Sequence, residues 1–271
     1  MYHIESAGLT DIGMKRKNNE DSLFLNDDKQ FYVVADGMGG HQAGEVASNI
    51  VVESLWDYMR RFNGDDSVEE LADPDEALSK EANRLLSGIH LANKSVFQAS
   101  QGNETYRGMG STVSAVYFTG SSLIAANVGD SPIYLIHDGT LELLSVTHTV
   151  LAEQRAMDPD NTKQLGNEFK HMLTRAMGVS ETVQADISEI QCFKGDMLVI
   201  GSDGLIEKIT PEEIHEIVAK EKPEKACRKL VDLSNQRGGG DNVTVVVLKI
   251  KDAKSSKGGF FKFLSRIFNS N

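Results

Sequence analysis

Two kinds of hydrophobic spacing alternate along the chain. Short runs rich in β-branched and aromatic residues, bounded by Gly, Asp or Ser, predict strands at 31–35, 111–118, 122–128, 133–137, 141–145, 197–201 and 243–250. Longer stretches repeat apolar residues every three or four positions and predict helices. One spans 44–62, with Val46, Ile50, Val51, Leu55, Tyr58, Met59 and Phe62 on a single face. A second runs from about Pro74 to Ala99, through Leu78, Ala82, Leu85, Ile89 and Val96, and the two read as an antiparallel pair. A third starts at "TPEEI", where Thr210 is an N-cap, Pro211 takes the first helical position and Glu213 closes a capping box. Another follows Pro223 and stops at Gly238–Gly240. Asp138-Gly139 sits between two strand runs and suits a type I′ hairpin, because both residues tolerate positive φ. Strand clusters separated by helix pairs predict an α+β sandwich, with helices covering stacked sheets.

No linker or internal repeat divides the first 250 residues, so residues 1–250 are expected to form one domain. Residues 251–271 differ in composition, with five basic residues and one acidic. There Phe260, Phe263, Leu264, Ile267 and Phe268 would form one stripe of a short helix. That stripe either packs on the domain's own surface or docks on a partner protein or an anionic membrane surface. The chain as a whole carries Asp+Glu 40 against Lys+Arg 28, a formal charge of −12, which argues against nucleic-acid binding. Neither a secretory signal nor a run of eighteen apolar residues is present, so a cytoplasmic protein is expected, peripheral at the membrane if the tail docks there. Cys192 and Cys227 lie in no metal-ligand spacing and read as buried, reduced thiols.

The chemistry is carried by acids at strand ends. Asp36 closes "FYVVAD", Asp203 follows "MLVIGS", Asp130 follows "AANVG" and Asp241 precedes "NVTVVV". Any one of these is an ordinary turn residue. Converging, they would repel one another and call for hard divalent cations, Mg²⁺ or Mn²⁺, since neither His nor Cys is among them. Gly37, lacking a side chain, would let its carbonyl approach such an ion. "DIGMKRKNNEDS" adds Arg16, whose planar fork matches phosphate oxygens, together with Glu20 and Asp21.

Taken in order, "DIGMKRKNNEDS", "VVADGMGGHQAGEVAS", "RGMGST", "ANVGDSPIYLIHDG", "LTRAMG", "IGSDGL" and "GGDNVTVVV" resemble the metal-dependent Ser/Thr protein phosphatases of type 2C in their compact bacterial form. The resemblance spans roughly residues 5 to 250. It implies a four-layer αββα sandwich of two stacked antiparallel sheets flanked by antiparallel helix pairs, with a dinuclear Mn²⁺/Mg²⁺ centre at one end. It implies that Asp36 bridges the two ions, that the Gly37 carbonyl, Asp203 and Asp241 complete their coordination, and that Asp130 with Asp203 holds a third. Glu20 and Asp21 match acids that position metal-bound water, which places Asp21 with the metal centre, and Arg16 matches the arginine that grips phosphate. Phosphorylated proteins are the implied substrates and a Ser/Thr kinase the implied counterpart. The chain departs from the pattern at Met38, where eukaryotic relatives carry a histidine proposed as the general acid; His41 is then the candidate for that role. Pro132 and Thr147 depart from it near the third ion and the flap, a variable segment at about 148–171. A phosphoprotein-binding pseudophosphatase and a different two-metal hydrolase are the rival readings.

Overall fold

The computed structural model describes residues 2–39, 43–62, 74–120, 122–158, 169 and 171–253. In chain order its elements are β1 (Tyr2–Asp11), β2 (Asp21–Asn26), β3 (Phe31–Met38), α1 (Ala43–Met59), α2 (Lys80–Gly102), β4 (Gly110–Ser111), β5 (Val113–Phe118), β6 (Leu123–Val128), β7 (Ile133–His137), β8 (Thr140–Leu143), α3 (Val150–Met157), β9 (Asp186–Ile190), β10 (Met197–Gly201), α4 (Asp203–Ile206), α5 (Pro211–Lys220), α6 (Pro223–Gln236) and β11 (Val243–Ala253). The strands make two antiparallel sheets. One has the order β1-β11-β10-β7-β8, the other β2-β3-β5-β6-β9, with β4 added to the end of β3.

Alternation along the central strands builds three cores, and three cores require four layers. Tyr32 and Val34 of β3 face inward to meet Val246, Leu248 and Ile250 of β11 between the sheets. Their neighbours Phe31, Val33 and Ala35 face outward against Ala47, Val51 and Leu55 of α1 and Leu85 and Ile89 of α2. On the far side Val243, Val245 and Val247 pack against Ile214 and Val218 of α5 and Ala226, Leu230 and Val231 of α6. Each fully buried Leu, Ile or Val contributes about 1.5–3 kcal/mol through area removed from water. The architecture is the αββα sandwich. Among the described residues no helix is long and apolar enough to cross a membrane.

Local chemistry explains where elements begin. Thr210 accepts from the Glu213 amide, and the Glu213 carboxylate accepts from the Thr210 amide, so the expected capping box starts α5. The Asp138-Gly139 turn has both φ positive, at 46° and 76°, and joins β7 to β8. By contrast α2 starts at Lys80, not near Pro74. The Asn83 side chain accepts from the Asp75 amide and donates to the Asp75 and Ser79 carbonyls, holding 75–79 as a turn, and Ser79 caps the helix. Thr112 splits the predicted 111–118 strand into β4 and β5, because its amide donates to the Asp36 carbonyl outside the ladder. β1 and β9, whose sequences do not alternate cleanly, are strands by pairing. Cys192 and Cys227 are buried and unpaired with each other. β11 runs on to Ala253; the apolar stripe of the tail lies outside the described residues.

Candidate metal centre

The acids come together at one end of the sandwich, where both sheets contribute. Asp36 does not end its strand. β3 continues to Met38 because Gly37 and Met38 pair with Ser111 and Gly110 of β4, and the Gly37 amide donates to the Glu20 carbonyl at 3.0 Å. Position 37 must be glycine: a Cβ there would stand 2.0 Å from the Gly44 carbonyl oxygen. Asp21 faces Asp36 directly across the β2–β3 ladder. Asp130 follows Gly129 (φ 105°) where the chain leaves β6 for the other sheet. Asp203 opens α4, and Asp241 precedes β11.

Asn242 ties the N-terminal loop to this group. Its side-chain oxygen accepts from the Glu20 amide at 2.8 Å, and its side-chain nitrogen donates to the Ile12 and Asn18 carbonyls, each at 2.9 Å. Arg16 is thereby held over Asp241, its Nη2 donating to Oδ2 at 2.6 Å. A second line of bonds fixes Asp21: Thr244 Oγ1 donates to Asp21 Oδ2 at 2.7 Å, so Thr10 donates to Thr244, and Asn19 to Thr10. On the other flank buried His148 accepts from the Gly129 amide on Nδ1 at 3.0 Å, which leaves Nε2–H to donate to Asp186 at 2.6 Å. Arg175 donates to the same Asp186 oxygen at 2.8 Å. Burial alone would raise the Asp186 carboxyl, but His148 and Arg175 hold it below the usual range.

A cleft of about 420 Å³ lies between these groups, lined by Arg16, Glu20, Asp36, Gly37, Asp130, Asp203 and Asp241. Asp21 is buried beside Asp36 on the paired strand and is not among the lining residues. His41 lies outside the described residues, while Met38 does line the cleft but has no proton to give. His171, Thr112 and Arg175 also line it, as sequence spacing did not reveal. Arg175 belongs to "LTRAMG", and nothing in its spacing ties that motif to residue 36.

The acids of the cleft disfavour one another's ionisation. Burial, then repulsion from Asp21, Asp203, Asp130 and Asp241, pushes Asp36 well above the usual carboxylate range. The same causes, burial first, raise Asp203 to about 8 and Asp21 to about 6. Burial also raises Asp130 and Glu20, and one buried oxygen of Glu20, Oε1, has no hydrogen-bond partner. A donor set made mainly of carboxylate oxygens, their mutual repulsion and an orphaned carboxylate oxygen fit divalent cations such as Mg²⁺ or Mn²⁺.

Comparison with known proteins agrees. The family model described as Protein phosphatase 2C matches residues 14–235. The serine/threonine phosphatase stp of Listeria welshimeri serovar 6b is 32% identical over 245 residues, covering 89% of this chain and 93% of that protein. Protein phosphatase PhpP of Streptococcus pneumoniae serotype 2 is 29% identical over 256 residues, covering 92% of this chain and 98% of that protein. The solved catalytic domain of serine/threonine protein phosphatase PstP, in complex with two manganese ions, superposes with a TM-score of 0.77 at 29% identity, covering 92% of this chain and 99% of that one.

Proposed function

Since this chain belongs to the protein phosphatase 2C family and is a metal-dependent protein serine/threonine phosphatase, we propose that Asp36, Gly37, Asp203 and Asp241 hold two Mn²⁺ or Mg²⁺ ions in the cleft, with Asp130 and Asp203 holding a third. When bound, such ions offset the charge of a phosphomonoester dianion and lower the pKa of water. The protein's residues supply the rest. Arg16 stands half-exposed at the rim and turns its fork from Asp241 to the phosphoryl oxygens, orienting them and stabilising charge as the leaving oxygen departs. Glu20 offers its unpartnered Oε1 as the acceptor that aligns the attacking water and takes its proton. Asp21, fixed by the line of hydroxyl bonds, would help position metal-bound water beside Asp36. His41 is the candidate for protonating the serine or threonine oxygen, because Met38 cannot.

The observation that carries this reading is the meeting of Asp36, Asp130, Asp203 and Asp241 with Arg16 at one cleft. In this reading residues 1–250, with the end of β11 at 251–253, form the catalytic domain, and the rest of the 251–271 tail is a basic docking segment for a partner protein or an anionic membrane surface. The protein would act in the cytoplasm and oppose a cognate Ser/Thr kinase. The test is metal-dependent turnover of phosphoserine and phosphothreonine peptides against single-stranded DNA and sugar phosphates. Turnover confined to the phosphopeptides and abolished by EDTA is expected; preference for another ester, or hydrolysis that survives thorough chelation, defeats it.

A further inference from the structure

We propose that His171 supplies an imidazole nitrogen to the third cation position, making it a mixed nitrogen–oxygen site that favours Mn²⁺ over Mg²⁺; this rests on the reading of Asp130 and Asp203 given above. One donor atom from each of Asp130, His171 and Asp203 lies within 4.8 Å of the others. His171 Nδ1 is 3.9 Å from Asp203 Oδ2. Two atoms bound to one ion at about 2.0–2.6 Å stand no more than about 4–5 Å apart, so the cluster already has the dimensions of a coordination shell.

The other ring nitrogen gives an independent sign. His171 Nε2 faces Glu207 Oε1 at 3.6 Å. A histidine that holds a metal commonly turns its second nitrogen to a carboxylate, which fixes the ring and raises the basicity of the first. Here the helical turn of α4 supplies both acids: the Glu207 amide donates to the Asp203 carbonyl at 2.9 Å, so residues 203 and 207 fall on one side of the turn. Lys208 balances Glu207, its Nζ 3.4 Å from Oε2. The backbone beside His171 is anchored as well. The Val150 amide donates to the Met172 carbonyl at 2.9 Å, and the Thr174 amide to the His148 carbonyl at 3.0 Å. The same His148 holds Gly129 ahead of Asp130, so one residue braces both approaches to the position.

Imidazole changes which ion the position prefers. Mg²⁺ takes oxygen ligands and keeps its waters, whereas first-row transition ions accept nitrogen readily. With His171 half-exposed, the remaining coordination places stay open to water.

The experiment uses the full chain loaded with Mn²⁺, and compares it with His171→Gln by pulsed electron paramagnetic resonance and by calorimetric titration with Mn²⁺ and with Mg²⁺. The wild type should show ¹⁴N coupling to Mn²⁺ that the variant lacks. The weakest Mn²⁺ site should weaken by at least about tenfold, the smaller of the losses seen even for outer-shell partners, and Mg²⁺ binding by much less. Equal weakening of both ions would mean that His171 only positions Asp203, and would overturn the proposal. So would Mn²⁺-loaded wild type that hydrolyses a phosphopeptide without ¹⁴N coupling, although the phosphatase reading would then stand. Failure of the wild type to bind Mn²⁺ at all would sink both.

Discussion

Replacing Asn242 with alanine tests how the loop that carries Arg16 is held. The substitution removes three part-buried hydrogen bonds to backbone groups of residues 12, 18 and 20. At about 0.5–1.5 kcal/mol each, the loss is about 3 kcal/mol. Other bonds to the loop survive, among them the Met14 amide to the Gly239 carbonyl at 2.9 Å and Arg16 to Asp241. The loop should therefore loosen locally while the sandwich stays folded. If the whole loss fell on the transition state, kcat/KM for a phosphopeptide would drop about 150-fold, and the melting temperature would hardly move. If it fell on global stability, the melting temperature would drop by roughly 6–12 °C. We expect mainly the first, read by steady-state kinetics beside circular-dichroism melts. A double-mutant cycle with Arg16→Ala supplies the check, because residues acting through one another lose less together than separately. Full additivity, or unchanged kcat/KM with a lowered melting temperature, would show Asn242 to be a stabilising core residue with no part in presenting Arg16.

Asp36→Asn should abolish turnover while the protein stays folded; retention of more than a few per cent of kcat would remove Asp36 from the centre. Arg16→Ala should raise KM with metals still bound, and a bidentate charged contact of about 1.5–3 kcal/mol predicts about ten- to 150-fold; unchanged phosphopeptide kinetics would make Arg16 a surface residue. In metal-free protein Asp21 and Asp203 hold protons up to about 6 and about 8, whereas unfolded Asp releases them near pH 4. The folded state thus binds more protons between about pH 4 and pH 8, and stability falls as pH rises across that window. Added Mn²⁺ should raise the melting temperature more at pH 8 than at pH 6, and a metal-free melting temperature that rises with pH would contradict the account. Removing residues 256–271 should leave hydrolysis of a small phosphopeptide intact and reduce co-sedimentation with anionic vesicles or capture of a partner protein; a melting temperature several degrees lower, with both kinds of binding unchanged, would place the tail in the fold.

Periodicity identifies elements whose faces differ sharply. Leu85, Ile89 and Val96 recur on one side of α2, and that side is the one buried. It does not identify β1, which owes its place to ten residues of pairing with β11 while its own sequence, YHIESAGLTD, mixes small and polar residues. The start of α2 was misplaced for a different reason: the side chain of Asn83, inside the helix, reaches back to organise the turn before it, and no local pattern announces a bond across eight residues. At the cleft, Asp-Gly and Gly-Asp pairs mark the acids, because a carboxylate beside glycine is conspicuous at the end of an apolar strand. His171 and Asn242 were less legible. Their partners lie 32 and 222 residues away, and a lone histidine or asparagine in a loop carries no spacing of its own.

The passage of the chain from β6 to β7 through Gly129, Asp130 and Ser131 moves it from one sheet to the other, and the acid cluster straddles that seam. Asp36 rides on one sheet, while Asp203 and Asp241 flank strands of the other. No stretch of chain shorter than some two hundred residues contains Asp36 and Asp241 together. During synthesis the cleft can therefore form only after the last strand has docked, since β11 lies between β1 and β10 and follows Asp241. A nascent or truncated chain lacking β11 has no strand to seat Asp241 beside Asp36 and Asp203, so the acid cluster is complete only when both sheets are assembled.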